Sequence, residues 1–136
     1  MTATMTLGTL DFYREMATRL NGDATWQDLA KEMTYSMLHV YTGPIDKAFA
    51  FRFDQGRISD VREVDVQGAS ADFVLTATPD NWKKVFSKLP KARASFMHYG
   101  LSTGAVRFTG PFMKTYLSQV KPWEHLIDVM SLAKGD

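Results

Sequence analysis

The chain has 136 residues, a formal net charge of +1 and no cysteine. That length predicts one α+β domain spanning residues 1–136, burying roughly two-thirds of the surface its unfolded chain would expose. Missing thiols exclude disulfides, thiolate catalysis and Cys-type zinc sites, and near-neutrality gives no global attraction for nucleic acid but favours self-pairing as a homodimer. No apolar run approaches the roughly 20 residues that span a bilayer. Residues 1–8 have neither the basic start nor the apolar core of a signal peptide, so they are expected to be disordered and the protein cytoplasmic.

Leu10, Tyr13, Ala17 and Leu20 recur at helical spacing, and Asn21 with Gly22 supplies a stop. Thr25 followed by Asp28 predicts a capping box for a second helix, whose buried stripe is Trp26, Leu29, Ala30 and Met33. From Thr34 the period shortens. Tyr35, Met37, His39 and Tyr41 alternate with Ser36, Leu38 and Val40, a strand ended by Gly43 and Pro44. Phe49, Phe51 and Phe53 share one face of the next strand. Asp54, Gln55 and Gly56 form a turn, with Gly56 at the position that needs positive φ. Ile58 to Val66 returns antiparallel, and its apolar residues change parity once, which predicts a bulge or an exposed stretch near Asp60 to Glu63.

After a loop at Gly68, Ala69 and Ser70, Phe73 to Thr78 makes a fourth strand. Thr78 is the expected N-cap and Pro79 the first residue of a helix bearing Trp82, Val85, Phe86 and Leu89 on one side. Pro90 ends that helix or begins a short one carrying Ala92, Phe96 and Tyr99. Val106 and Phe108 lie on one side of a fifth strand. Phe112, Met113, Tyr116, Leu117 and Val120 then mark a last apolar helix, which Pro122 must kink or split because it cannot donate to Ser118. Beyond it, Trp123, Leu126, Ile127 and Met130 are expected to act as a mobile lid.

No catalytic signature is present. His39, His98 and His125 are scattered and lack zinc-helix spacing, so no metal site is expected. There is no G-x-S-x-G elbow, P-loop or dinucleotide fingerprint, and no cofactor is implied. Asp60, Arg62, Glu63 and Asp65 read as a solvated strand face. The cations Lys83, Lys84, Lys88, Lys91 and Arg93 read chiefly as a solvated helix face, with weak attraction to an anionic membrane surface as their functional alternative. Aromatics in that helix fall on its core-facing stripe, which argues against stacking nucleic-acid bases.

What remains is an apolar constellation: Trp82, Phe86, Phe96, Met97, Phe108, Phe112, Met113, Tyr116 and Leu117. Any one of them is best explained as core. Eight methionines and a terminal apolar segment favour a cavity for the group.

The stretch 71–76 (ADFVLT), then Trp82 within a helix, Pro90, Ala94, Phe96 with Met97, Gly100, and Val106 with Gly110, together resemble the sterol carrier protein type two family over roughly residues 25–120. The turn at Asp54, Gln55, Gly56 and Arg57 is similar too. The resemblance implies a five-stranded, mostly antiparallel sheet covered by helices, with a core of about residues 25–133 enclosing a hydrophobic tunnel for fatty acyl chains, sterols or other lipids. It implies a carrier working without cofactors. Pro111 follows Gly110 where the family usually has an acidic residue, and the Gly100–Gly104 spacing departs from the common form. Both lie at the expected pocket mouth.

The expected function is therefore non-enzymatic carriage of a lipid. The constellation above lines the pocket, and Lys88, Lys91 and Tyr99 contact the polar head. Two alternatives are a cone-shaped-pocket enzyme of the ketosteroid-isomerase type, which needs an Asp base beside a buried Tyr or protonated acid, an environment the sequence does not show for Asp46 or Asp65, and an accessory subunit of a lipid-modifying enzyme.

Overall fold

A computed structural model describes residues 6–43, 46–86, 106–108 and 112–134. Its first helix, α1 (Leu10–Asn21), begins where the Thr9 hydroxyl accepts from the Phe12 amide at 3.3 Å and stops at Gly22. Phe12, Tyr13, Met16 and Leu20 form its buried face. The second helix, α2 (Ala24–Leu29), is capped by Asp23, whose carboxylate accepts from the Trp26 amide at 3.1 Å. This corrects the expected Thr25–Asp28 capping box. The chain turns so soon after Gly22 that Asp23 reaches the free amides first, leaving Thr25 inside the helix and exposed.

Strands β1 (Tyr35–Tyr41), β2 (Lys47–Asp54), β3 (Arg57–Val64), β4 (Phe73–Ala77) and β5 (Arg107–Phe108) form one open sheet in the order β3-β2-β1-β4-β5. β1 lies at its centre, antiparallel to β2 and parallel to β4. The β2–β3 and β4–β5 pairs are antiparallel. The architecture is α+β with a mostly antiparallel sheet, as expected, and the β1–β4 pairing makes it mixed.

One face of this sheet carries Tyr35, Met37, His39 and Tyr41 from β1, Phe49, Phe51 and Phe53 from β2, and Phe73 and Leu75 from β4. These side chains join the buried face of α1 in the main core. On the other face a smaller cluster centres on Leu38, Val40 and Ala48, flanked by Ala50, Val64 and Val74. β1 is thus buried on both faces, so its alternation separates two apolar layers instead of core from solvent.

The β2–β3 turn places both Gln55 (φ 51°) and Gly56 (φ 86°) in the left-handed region, the geometry of a tight two-residue hairpin. Gly56 is also a docking point. Its amide donates to the Met33 carbonyl at 2.9 Å, and its carbonyl accepts from the Trp26 indole at 2.7 Å. The expected bulge is present: register shifts between Ala50 and Arg52, and Asp60 takes a φ of 55°. Ser36 and Asp72 clasp β1 to the entry of β4 by reciprocal bonds, Ser36 N to Asp72 Oδ2 at 2.9 Å and Asp72 N to Ser36 Oγ at 2.8 Å.

Helix α3 (Pro79–Val85) is capped by Thr78, whose hydroxyl accepts from the Asn81 amide at 3.2 Å, with Pro79 in the first turn as expected. Leu89 and Pro90 lie outside the described residues. The C-terminal segment divides into α4 (Phe112–Ser118) and α5 (Val120–Lys134). The break at Gln119 places Pro122 in the first turn of α5, where its missing amide hydrogen costs nothing.

The expected mobile lid is not one. Trp123, Leu126, Ile127 and Met130 are all fully buried in the main core. Trp123 meets Phe53 and Phe112 edge-on, with ring centroids at 5.7 and 5.3 Å. Each such side chain contributes about 1.5–3 kcal/mol when removed from water, so the helix is a wall of the fold. His125 ties α5 to the α2 cap through a 2.9 Å contact with Asp23.

At Gly56 an added Cβ would lie 2.7 Å from the Ala30 carbonyl oxygen, in a conformation that already disfavours L side chains. Gly56→Ala is expected to destabilise the protein by about 2–3 kcal/mol. Urea unfolding should show a lower midpoint at unchanged slope.

Candidate ligand-binding site

The central strand sets the site. Four inward side chains of β1, Tyr35, Met37, His39 and Tyr41, stand in a row beneath the helices. Helix α3 starts directly after β4, beside β1, and lays Trp82 over two of them. The indole stacks on His39 at 4.5 Å and 22° and on Tyr41 at 5.1 Å and 24°. Its Nε1 donates to the Val40 carbonyl at 2.9 Å, which fixes the ring without using any side-chain partner. Phe86 stacks on Trp82 at 6.0 Å and meets Phe12 edge-on at 5.4 Å.

A second aromatic group lies around α4. Phe112 contacts Phe73 at 5.6 Å, Phe108 at 5.1 Å and Tyr116 at 6.2 Å. Trp82, Phe86, Phe112 and Tyr116 are thereby buried in one continuous core, and Phe108 packs against it half-buried.

Leu117 does not join them. At 51% exposure it points to solvent, because Phe112 and Tyr116 take the inward face of α4 at i, i+4 spacing and Leu117 lies about 100° further round. Phe96, Met97, Lys88, Lys91 and Tyr99, with the Met113 side chain, lie outside the described residues, as do Pro111 and the Gly100–Gly104 stretch. Lys83 is exposed, as a solvated helix face requires.

The polar group that sequence reasoning missed is a buried relay. The Tyr13 hydroxyl lies 2.9 Å from His39 Nδ1 and 2.7 Å from the Tyr41 hydroxyl. Burial drives the His39 imidazole down from 6.5 to about 3, so it is neutral at physiological pH. Burial likewise pushes the Tyr13 and Tyr41 phenols well above their usual range. His39 was legible as inward-facing in the β1 alternation. Its partner, 26 residues earlier on α1, was not.

Burial thus keeps all three groups of the relay uncharged at neutral pH. Asp46 and Asp65, the carboxylates an isomerase would need, are both exposed. Among the described residues no three His, Asp or Glu side chains converge as a metal site. No helix among them is long and apolar enough to cross a membrane. A separate open groove of about 370 Å³ lies on the opposite sheet face, over Leu38, Ala50 and Val64 and rimmed by Arg62, Asp65 and Gln67.

The fold is that of sterol carrier protein 2. A crystal structure of sterol carrier protein 2 superimposes with a TM-score of 0.76 at 18% identity, covering 93% of this chain and 98% of that one. A conserved hypothetical protein of Thermus thermophilus, itself described in relation to sterol carrier protein, gives 0.72 at 15% identity, over 99% and 97% of the two chains. A ubiquinone synthesis protein, UbiJ-SCP2, gives 0.59 at 12% identity, over 96% and 99%. No family sequence model and no curated protein sequence matches the chain.

The neutral, buried His39 has a consequence for stability. Unfolding lets the imidazole take a proton below its ordinary pKa of 6.5, whereas the folded ring resists until about pH 3. Its effect is absent above pH 6.5. Below that, stability falls as pH drops towards 3, by up to about 1.4 kcal/mol per pH unit. Asp23, held below the usual carboxylate range first by its hydrogen bond to His125, adds a loss of the same sign only under more acidic conditions. Urea unfolding between pH 7 and 4.5 should show the decline in the wild type and a shallower one in His39→Phe.

Proposed function

We propose that this protein binds one hydrophobic ligand, a fatty acid, fatty acyl-CoA, sterol or other lipid, in its aromatic interior and carries it through the cytoplasm chemically unchanged. The observation that carries this reading is the convergence of Trp82, Phe86, Phe112 and Tyr116. They come from two helices and are buried on one face of a sterol-carrier-like sheet. The rings offer broad apolar contact, and the neutral relay beneath Trp82 brings no buried charge with it.

Phe108 and the Met113 side chain flank that group in sequence and complete its outer wall in this proposal. Phe96 and Met97 close it from the preceding segment, and Lys88, Lys91 and Tyr99 meet the polar head. The chain acts as a single domain. Its exposed Lys83 and neighbouring cations give weak attraction to anionic lipid at the membrane surface. Each buried methylene contributes about 0.8 kcal/mol, so ten contribute roughly 8 kcal/mol before the costs of ordering and immobilisation. Micromolar affinity follows. No catalytic role is proposed.

A second reading, an accessory subunit of a lipid-modifying enzyme, is favoured by the likeness to a ubiquinone synthesis protein. Exposed Leu117, beside the buried face of α4, would then contact the partner.

A native mass spectrum of freshly purified protein tests the carrier reading. The expected result is a population bearing the added mass of one lipid. Added palmitate or cholesterol at one hundred times its dissociation constant should stabilise the fold by about 2.7 kcal/mol, raising Tm by several degrees. No adduct and no thermal shift across several lipid classes would overturn it. A complex recovered intact from source cells, with no lipid adduct, would instead support the accessory role.

A further inference from the structure

A polar atom of His39 lacks a hydrogen-bond partner among the described residues. His39 is fully buried, and among the described residues its Nε2 makes no hydrogen bond. The ring is held between Trp82, stacked at 4.5 Å, and Phe51, edge-on at 5.1 Å. Leaving such a group unpaired in an apolar interior is costly, so a partner from outside the chain would be stabilising.

The relay fixes which kind of partner. If Nδ1 carried the proton, it would donate to the Tyr13 oxygen. One of the two phenol hydrogens would then be unspent, and so would the Nε2 lone pair. With the proton on Nε2, Tyr41 donates to the Tyr13 oxygen and Tyr13 donates to Nδ1. Both phenols are then satisfied and a single group is left over. That group is a donor, the Nε2–H.

We propose that His39 Nε2–H anchors an uncharged acceptor oxygen of the bound ligand, such as the carbonyl of an ester or ketone, against the face of Trp82. The inference rests on the carrier reading and narrows its ligand class. A carboxylate would enter a core in which no charged side chain is buried among the described residues, and a neutral imidazole cannot balance its charge. An ester or ketone oxygen brings an acceptor without that penalty. It also closes the chain Tyr41, Tyr13, His39, ligand, with every donor used.

The test compares methyl palmitate with hexadecane, which presents an apolar chain of similar length without an acceptor oxygen. Binding is followed by quenching of Trp fluorescence in wild type and His39→Phe. The 15N and 1H shifts of the His39 Nε2–H group are recorded in the wild type alone, so the result does not depend on the variant's folding. Expected are at least tenfold tighter binding of the ester by the wild type, loss of that preference in His39→Phe, and a downfield shift of the Nε2 proton with the ester only. Equal affinity for ester and alkane, or an Nε2 resonance unmoved by the bound ester, would overturn the anchor while leaving the carrier reading standing. Failure of both probes to bind would overturn the two together.

Discussion

Everything in this fold is arranged around the burial of β1 on both faces. A strand so placed must satisfy its backbone on two edges and its side chains in two layers. β2 and β4 supply the edges, one antiparallel and one parallel. The layers differ in kind. Towards the helices β1 presents Tyr35, Met37, His39 and Tyr41, of which all but Met37 have polar tips, and away from them Leu38 and Val40. The polar tips are the harder constraint, because each must find a partner in an interior closed to water. Tyr13 of α1 provides for two of them, bonding His39 and Tyr41. The Tyr35 hydroxyl reaches Gln119, at the junction of α4 and α5, donating at 2.8 Å. The central strand therefore selects where the first and last helices can sit.

Those helix positions create the aromatic interior. α1 brings Phe12 to Phe86, α3 stacks Trp82 on the β1 row, and α5 brings Trp123 against Phe53 and Phe112. Two small devices fix the periphery: Gly56 receives the Trp26 indole, and Asp23 serves both as a helix cap and as the partner of His125. Both join elements distant in sequence. They make the wall around the candidate site one connected body, so that α5, apolar and terminal though it is, belongs to the core.

Much of this was legible in the chain because the signals are local. The Phe49, Phe51, Phe53 alternation defined a strand and its buried face. Thr78 followed by Pro79 placed the start of α3, Gly56 the hairpin, the parity change near Asp60 the bulge, and Pro122 the division of the last helix. Each depends on two to six neighbouring residues. The misreadings arose where local signals competed or where the deciding partner was remote. Asp23 displaced Thr25 as cap because the preceding turn was shorter than assumed. Leu117 was assigned to the pocket from an apolar stripe too wide for a helix whose inward face is filled by Phe112 and Tyr116. Trp123 looked free only because Phe53, seventy positions earlier, could not be placed beside it. The relay under Trp82 joins residues 26 and 28 positions apart, a relation no periodicity expresses.

The central claim is that a lipid lodges among the rings on the helix-covered face of the sheet. The most direct test is an isotope-filtered NOE spectrum of the protein bound to methyl palmitate carrying a 13C-labelled acyl chain. The account predicts cross-peaks from that chain to ring protons of Trp82, Phe86 and Phe112. Cross-peaks confined to Leu38, Ala50 and Val64, in the groove on the opposite face, would contradict it.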